Sequence, residues 1–222
     1  MGERRDPWDD PAVRAGMERM LASRERLLAA GARPLGWKLA FGAPAVLETL
    51  GLSGPLVGFL TDEAQVKSGG EVMVEGWQAP KLEPEIAIQL GPGGEGVAAI
   101  SAAIELVDLD LPLTEIEEVL AGDAFHRGVV LGEPVPRPGG PLAVAVECGG
   151  ERVGGSDDAE AAVGRLEELA AYVSGYLERF GAECREGEVI ISGSTVPMLD
   201  VAAGETWGNS VAGVGRVEVS LV

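Results

Sequence analysis

The sequence predicts a strand-rich α+β protein: a mixed β-roll or barrel with one long packed helix and a short helical N-terminal part. Three observations point there. From residue 56 onward apolar side chains recur mostly with a period of two, in runs broken by Gly and Pro. One long stretch of helical period interrupts them between Ser156 and Gly181. Ahead of them, residues 11–31 carry Val13, Met17, Met20, Leu21, Leu27 and Leu28 on one helical stripe, with Gly31 as its stop.

That first helix gives way to PLGWKLAFGA, a short strand-like run, and then to PAVLETLGL, a brief helix ending at Gly51. EVMVEGW, LEPEIAIQL, AISAAIELVDLDL, RGVVLGEP, LAVAVECGGERVG, EVIISGS and GRVEVSLV read as strands, with CGGERV as a tight hairpin. The long helix takes Ser156 as its N-cap and Asp157 and Asp158 at its positive end. Its buried stripe is Val163, Leu166, Leu169, Val173, Leu177 and Phe180. With no repeat, low-complexity tract or linker, the expectation is one unit: residues 1–55 as a helical and αβ segment packed on the core, and 56–222 as the β-roll that carries the chemistry.

Composition narrows the chemistry. At 222 residues, 46% hydrophobic and 24% charged, the chain can bury a sizeable core. No apolar run approaches the roughly 20 residues that span a bilayer, and MGERRDPWDDP lacks the apolar core of a signal peptide, so a cytoplasmic location is expected. A net charge of −19 argues against a nucleic acid or an anionic membrane as partner. Cys148 and Cys184 have no metal-like spacing and fit reduced structural thiols. The sequence holds one histidine, His126, which excludes zinc sites built on several imidazoles. Any metal must be held mainly by oxygen, which selects Mg²⁺, Mn²⁺ or Ca²⁺.

The stretch APKLEPEIAIQL places Glu83 and Glu85 two residues apart in a strand, so both carboxylates project from one face while Leu82, Pro84, Ile86 and Ile88 fill the other. One reading is a solvated strand face, with Lys81 softening the repulsion. The other takes in Glu105, the first charge after a run of small and apolar residues in SAAIELVDLDL, where a lone carboxylate is costly unless paired or metal-bound. Three carboxylates converging from two strands would make a Mg²⁺ or Mn²⁺ site with open positions. Alternation puts Asp108 and Asp110 on the opposite face, outside that group.

In order and spacing, RERLLAAGARPLGWKLAFG, GFLTD, PKLEPEIAIQL, AAIELVD, GVVLG, GEVIISGS followed by VPM, and AGETWG with VAGVGRVEVSLV resemble the fumarylacetoacetate hydrolase (FAH) superfamily. Within it they are most similar to the branch of 2-keto-4-pentenoate hydratases and 4-oxalocrotonate decarboxylases. The resemblance runs from about residue 24 to the end. It implies the FAH-type β-roll, a divalent metal on Glu83, Glu85 and Glu105, and a short 2-oxo acid substrate chelated through its carboxylate and 2-oxo oxygens. It implies Lys38, in GWKLAFG, as the active-site lysine that moves protons or holds the anionic substrate. In ISGSTVPM it implies a loop whose Gly193, Ser194 and Thr195 meet the substrate carboxylate. It also implies assembly at least as a homodimer.

The sequence departs from the family's pattern in three places. Leu56 stands where hydratases of this branch carry an acid; if that acid orients water, another group must do so here, and nearby Asp62 is a candidate. GDAFHRGVVLG carries Asp123 in place of an amide, and His126 and Arg127 in place of small residues. His126 is therefore a candidate base, and His126 or Arg127 a reader of the substrate's far end, including a second carboxylate. VDLDLPLTE lacks the family's continuation and the N-terminal part is shorter. The expected activity is a Mg²⁺- or Mn²⁺-dependent hydratase acting on a 2-hydroxy-2,4-dienoate through its 2-oxo tautomer. The alternatives are an acylpyruvate-type C–C hydrolase or a 2-oxo-acid decarboxylase on the same metal site, or a ligand binder that kept the fold and lost the chemistry.

Overall fold

In the computed structural model, which describes residues 4–222, helix α1 (Pro11–Ala30) begins where Asp10 caps it. The Asp10 carboxylate accepts from the N–H groups of Ala12 and Val13 at 2.9 and 3.2 Å, and Gly31 at φ 112° ends the helix. Residues 1–3 of the N-terminal segment lie outside the described residues. There follow β1 (Pro34–Ala40), α2 (Pro44–Leu50), β2 (Leu56–Thr61), β3 (Gln65–Val66), β4 (Gly70–Val72), β5 (Pro80–Leu90), β6 (Val97–Asp108), α3 (Ile116–Ala121), β7 (His126–Leu131), β8 (Val144–Cys148), β9 (Glu151–Ser156), α4 (Glu160–Val163), α5 (Leu166–Glu178), β10 (Val189–Ile191), β11 (Leu199–Asp200), β12 (Thr206–Val211) and β13 (Gly215–Leu221).

The strands form two sheets. The larger runs β2-β1-β10-β5-β6-β7-β3, with β11 added to β5, and the smaller runs β4-β13-β12-β8-β9. β1 lies between β2, antiparallel, and β10, parallel, so the strand carrying Lys38 is hydrogen-bonded on both sides to later parts of the chain. The long hairpin of β5 and β6 sets Glu83 opposite Glu105 and Glu85 opposite Ala103. One face of that hairpin, with Leu82, Ile86, Ile88, Ile104 and Leu106, enters the main core, which extends from Val13 to Leu221. On the other face Ala87 and Ala103 meet Leu60, Val129 and Ile191 in a small separate cluster. Both faces are thus covered, so the glutamates do not sit on a solvated strand face.

The smaller sheet turns Trp207, Asn209 and Val211 of β12 inward, all buried. Asn209 is the polar exception. Its Nδ2 donates to the Glu85 and Ala103 carbonyl oxygens at 2.9 and 2.8 Å, fastening one sheet to the hairpin of the other at the level of Glu85. Where α1 crosses α3 the contact is close: a Cβ on Gly16 would lie 2.7 Å from Leu120 Cβ and 2.8 Å from the Glu117 carbonyl oxygen. Cys148 and Cys184 are both free. No helix among the described residues is long and apolar enough to cross a membrane.

Three local expectations are corrected. The helix expected from Ser156 is broken into α4 and α5 by Gly164 at φ 97°, a backbone conformation an α-helix does not contain. Ser156 ends β9 instead of capping a helix: its hydroxyl accepts from Asp158 N–H and donates to the Asp158 carbonyl, while Asp158 Oδ1 accepts from Glu160 N–H. Of EVMVEGW, only Glu71 and Val72 lie in a strand, because a turn bonded from Trp77 N–H to the Val74 carbonyl takes the rest.

Replacing Asn209 by Ala removes both donated bonds, while the two carbonyls keep their partners in the β5–β6 ladder. At about 0.5–1.5 kcal/mol net for each bond, the expected loss is about 1–3 kcal/mol in urea unfolding monitored by circular dichroism. A change within 0.5 kcal/mol would remove Asn209 as the tie between the sheets.

Candidate active site

Sheet register brings the site together. Lys38 on β1 stands beside Ile191 on β10, which stands beside Ala87 on β5, so Lys38 shares a face with Glu85, Glu83 and, across the hairpin, Glu105. One carboxylate oxygen from each of Glu83, Glu85 and Glu105 lies within 4.8 Å of the others. Glu85 and Glu105 are buried and Glu83 partly so.

Each carboxylate has a distinct environment. Glu105 Oε1 receives Lys38 Nζ at 2.7 Å and His126 Nδ1 at 2.6 Å, an arrangement buried to 1% exposure at Lys38 and Glu105. Burial alone would raise the Glu105 pKa, but the charge and hydrogen bonds of Lys38 and His126 outweigh it and hold Glu105 below its ordinary value. Lys38 responds in kind: burial disfavours its charge, yet Glu105, Asp123 and Glu83 keep it protonated with a raised pKa. Glu83 and Glu85 face the opposite balance. Burial, then the charge of Glu105, push Glu83 up to about 7 against the pull of Lys38. The same two effects, with Glu83 added, lift Glu85 well above the carboxylate range. Lys81 is no counter-charge for them, since its Nζ pairs with Asp200 on β11.

Lys38 is aimed by its surroundings. Its Nζ also donates to the Ala124 carbonyl at 3.0 Å. Gly58, its neighbour on β2, has no room for a side chain: a Cβ would lie 2.5 Å from Asp123 Oδ1 and 2.7 Å from Lys38 Cε. Asp123 is buried, its Oδ1 accepts from Phe59 N–H at 2.9 Å, and burial raises its pKa to about 6 in spite of His126 and Lys38.

Of the loop residues expected to meet substrate, two are already engaged with β5. Gly193 N–H donates to Glu85 Oε2 at 2.8 Å, and both the N–H and the hydroxyl of Thr195 donate to the Pro84 carbonyl at 2.8 Å. Both therefore fix the strand that bears the carboxylates. Ser194 Oγ is buried without a partner, as are Glu85 Oε1 and His126 Nε2. The remaining positions lie among other partners. Asp62 is bound by Arg33 through its backbone N–H at 2.7 Å and its Nε at 2.8 Å, which hold its pKa low and leave it outside the carboxylate group. Leu56 is fully buried in the core. Arg127 pairs with Asp110 at 2.6 Å and with the His126 carbonyl at 3.0 Å, so its charge is matched.

The donor set suits a hard divalent ion. Three carboxylates in one buried place repel unless they are protonated or share a cation, and Glu85 Oε1 has no other partner. Sequence reasoning missed Asn209, although a polar residue between Trp207 and Val211 on an inward-facing strand was a visible signal. It also missed the Ala124 carbonyl, for which the sequence carries none.

No family model matches the chain. Its structure matches that of 4-oxalocrotonate decarboxylase from Pseudomonas putida G7, solved with magnesium and adipate, at TM-score 0.79 and 24% identity over 91% of this chain and 83% of that one, which identifies the fold as the FAH-type β-roll. By sequence it is 30% identical to the 2-hydroxyhexa-2,4-dienoate hydratase of Comamonas testosteroni over 91% of this chain and 82% of that protein. It is 26% identical to the 2-keto-4-pentenoate hydratase of Paraburkholderia xenovorans over 98% and 87%. The chain belongs to the fumarylacetoacetate hydrolase superfamily, in its hydratase and decarboxylase branch.

The charge balance predicts how metal and protons compete. A carboxylate whose pKa is raised on folding holds its proton longer when folded than unfolded, so in metal-free protein stability falls as pH rises from about 4.5 towards about 7, the range between the ordinary and folded values for Glu83. A divalent ion must displace those protons. Titration calorimetry with Mn²⁺ at pH 6, repeated in buffers of different ionisation heat, should show proton release and an affinity that rises towards pH 8. Binding with no proton release at pH 6 would contradict the raised values.

Proposed function

We propose that this protein is a Mg²⁺- or Mn²⁺-dependent hydratase that adds water to a 2-hydroxy-2,4-dienoate through its 2-oxo tautomer. The observation that carries the reading is the buried convergence of Glu83, Glu85 and Glu105 beside a protonated Lys38, with Glu85 Oε1 left unpartnered. Relatives named as dienoate and pentenoate hydratases support the choice of reaction. A divalent ion on the three carboxylates would supply a Lewis acid for the carboxylate and 2-oxo oxygens of the substrate.

The chain's own residues account for the rest. Lys38 has three N–H donors, of which Glu105 Oε1 and the Ala124 carbonyl occupy two. The third is available to deliver a proton to the carbon next to the ketone or to hold the substrate's anionic end. The apolar cluster of Leu60, Ala87, Ala103, Val129 and Ile191 keeps water from the same face of the sheet. Ser194 Oγ supplies a hydroxyl for the substrate carboxylate.

The pairing of Arg127 with Asp110 favours a substrate with an uncharged distal end over a dicarboxylate such as 4-oxalocrotonate, which would need a free cation there. The same reading takes the protein as a cytoplasmic homo-oligomer, at least a dimer, acting on a small 2-oxo acid.

Ultraviolet and NMR assays with Mg²⁺ against a dienoate, an acylpyruvate, 4-oxalocrotonate and oxaloacetate should give the 4-hydroxy-2-oxo acid from the dienoate as the main product. Hydrolysis or CO₂ release as the dominant outcome would replace the hydratase reading. Glu83→Ala or Glu85→Ala should stay folded and lose measurable Mn²⁺ binding by calorimetry; unchanged affinity would sink the metal assignment. Lys38→Ala should bind Mn²⁺ and lose about 10²–10⁴-fold in turnover, and a wild-type rate would remove Lys38 from the chemistry.

A further inference from the structure

His126 has one nitrogen committed and one free. Glu105 Oε1 meets the Lys38 ammonium at 2.7 Å and His126 Nδ1 at 2.6 Å, so that oxygen is the acceptor in both contacts. The 2.6 Å contact therefore requires Nδ1 to bear the hydrogen. In the neutral ring Nε2 is then the lone-pair nitrogen. It is buried, it has no partner, and its side chain is 6% exposed. A buried acceptor without a donor is costly unless a water or a ligand hydroxyl fills the place.

Among the described residues the other candidates to receive a proton from water already have partners. Asp62 is bound to Arg33, Leu56 is an alkyl chain in the core, Asp123 Oδ1 accepts from Phe59 N–H, and Glu105 Oε1 is taken by Lys38 and His126. Glu83 and Glu85, with Glu105, are the carboxylates assigned to the ion.

We infer that His126 Nε2 is the base that orients and deprotonates the water added to the substrate. This rests on the hydratase reading and deepens it. In the step, the water oxygen bonds to C4 of the 2-oxo-3-enoate, the C3–C4 π pair moves to C3, and C3 takes a proton from Lys38 Nζ. The proton lost by the water goes to Nε2. Loss of that proton to solvent and recapture of one by Lys38 restore both groups, for a net gain of one water. Glu105 holds the base and the acid through a single oxygen, which ties their positions to one another.

Two substitutions separate the roles of the two nitrogens. Asn in place of His126 keeps an N–H near the Nδ1 position for Glu105 and deletes Nε2; Gln keeps a polar group near Nε2 with no basicity. Mn²⁺ affinity, product formation from 2-hydroxypenta-2,4-dienoate, and hydrogen–deuterium exchange at C3 of 2-oxopentanoate in D₂O, which needs Lys38 but no water addition, are measured for each. His126→Asn and His126→Gln should lose about 10²–10⁴-fold in hydration, while Mn²⁺ affinity and C3 exchange stay within about tenfold of wild type. Hydration by His126→Asn near the wild-type rate overturns the assignment. Equal loss of hydration, exchange and metal binding also overturns it, because His126 would then serve only to hold Glu105. If the wild-type protein binds Mn²⁺ and exchanges C3 but hydrates no dienoate, the hydratase reading itself fails and this role with it.

Discussion

The ion pair between Lys38 and Glu105, 2.7 Å long and almost wholly out of contact with water, is the constraint around which the site is arranged. A pair so buried is stable only if both partners keep their full set of contacts, because removing either leaves an uncompensated charge at a cost of about 3–5 kcal/mol. Much of the surrounding structure supplies those contacts. β1 is held between β2 and β10, Gly58 leaves space for the lysine stem, the Ala124 carbonyl takes a second ammonium hydrogen, and His126 takes up the glutamate oxygen from the other side. With that pair made, the negative charge of Glu83 and Glu85 has no protein cation left to balance it. Their raised pKa values express that deficit, and a divalent ion relieves it.

The parts of this arrangement that depend on strand period were legible in the sequence. Alternation alone put Glu83 and Glu85 on one face and excluded Asp108, whose carboxylate receives the Ala79 N–H instead. The convergence of Glu105 followed from its isolation among apolar residues. Lys38 was legible only through the resemblance, since a lone lysine in a strand is ordinarily at the surface. Nearness in sequence to the departing Leu56 says nothing of the partners of Asp62, and Arg33, with which it pairs, lies 29 residues away just ahead of β1. The split of the expected long helix has the same character. Gly164 lies within a helical apolar stripe, and nothing in that stripe signals the φ of 97° at which the helix breaks.

The turn from Asp123 to Phe125 was illegible for a different reason. All three residues have positive φ, at 62°, 49° and 68°, and none is glycine, so the sequence gives no sign of the conformation. Left-handed backbone in a non-glycine residue costs of order 1–3 kcal/mol and persists only where the surroundings over-determine it. Here they do. Asp123 Oδ1 accepts from Phe59 N–H, Ala124 N–H donates to the Val119 carbonyl, the Phe125 carbonyl accepts from Asp108 N–H, and Phe125 meets Phe41 edge-on at 6.0 Å.

The strain and the buried charge sustain one another. The left-handed run turns the Ala124 carbonyl toward Lys38 and delivers His126 to Glu105; in return, the ammonium and the carboxylate are two of the partners that hold the run in place. A relaxed turn would withdraw the carbonyl from a buried ammonium and leave Glu105 Oε1 with one hydrogen-bond partner instead of two. Replacing Lys38 by Met would remove a hydrogen bond that keeps Ala124 in its strained state. α3 leads directly into the turn and packs on α1, so the geometry of the N-terminal helices is joined to the site through this turn as well as through β1. The shape of the base-bearing loop is therefore a property of the charged site and not of the loop's own sequence.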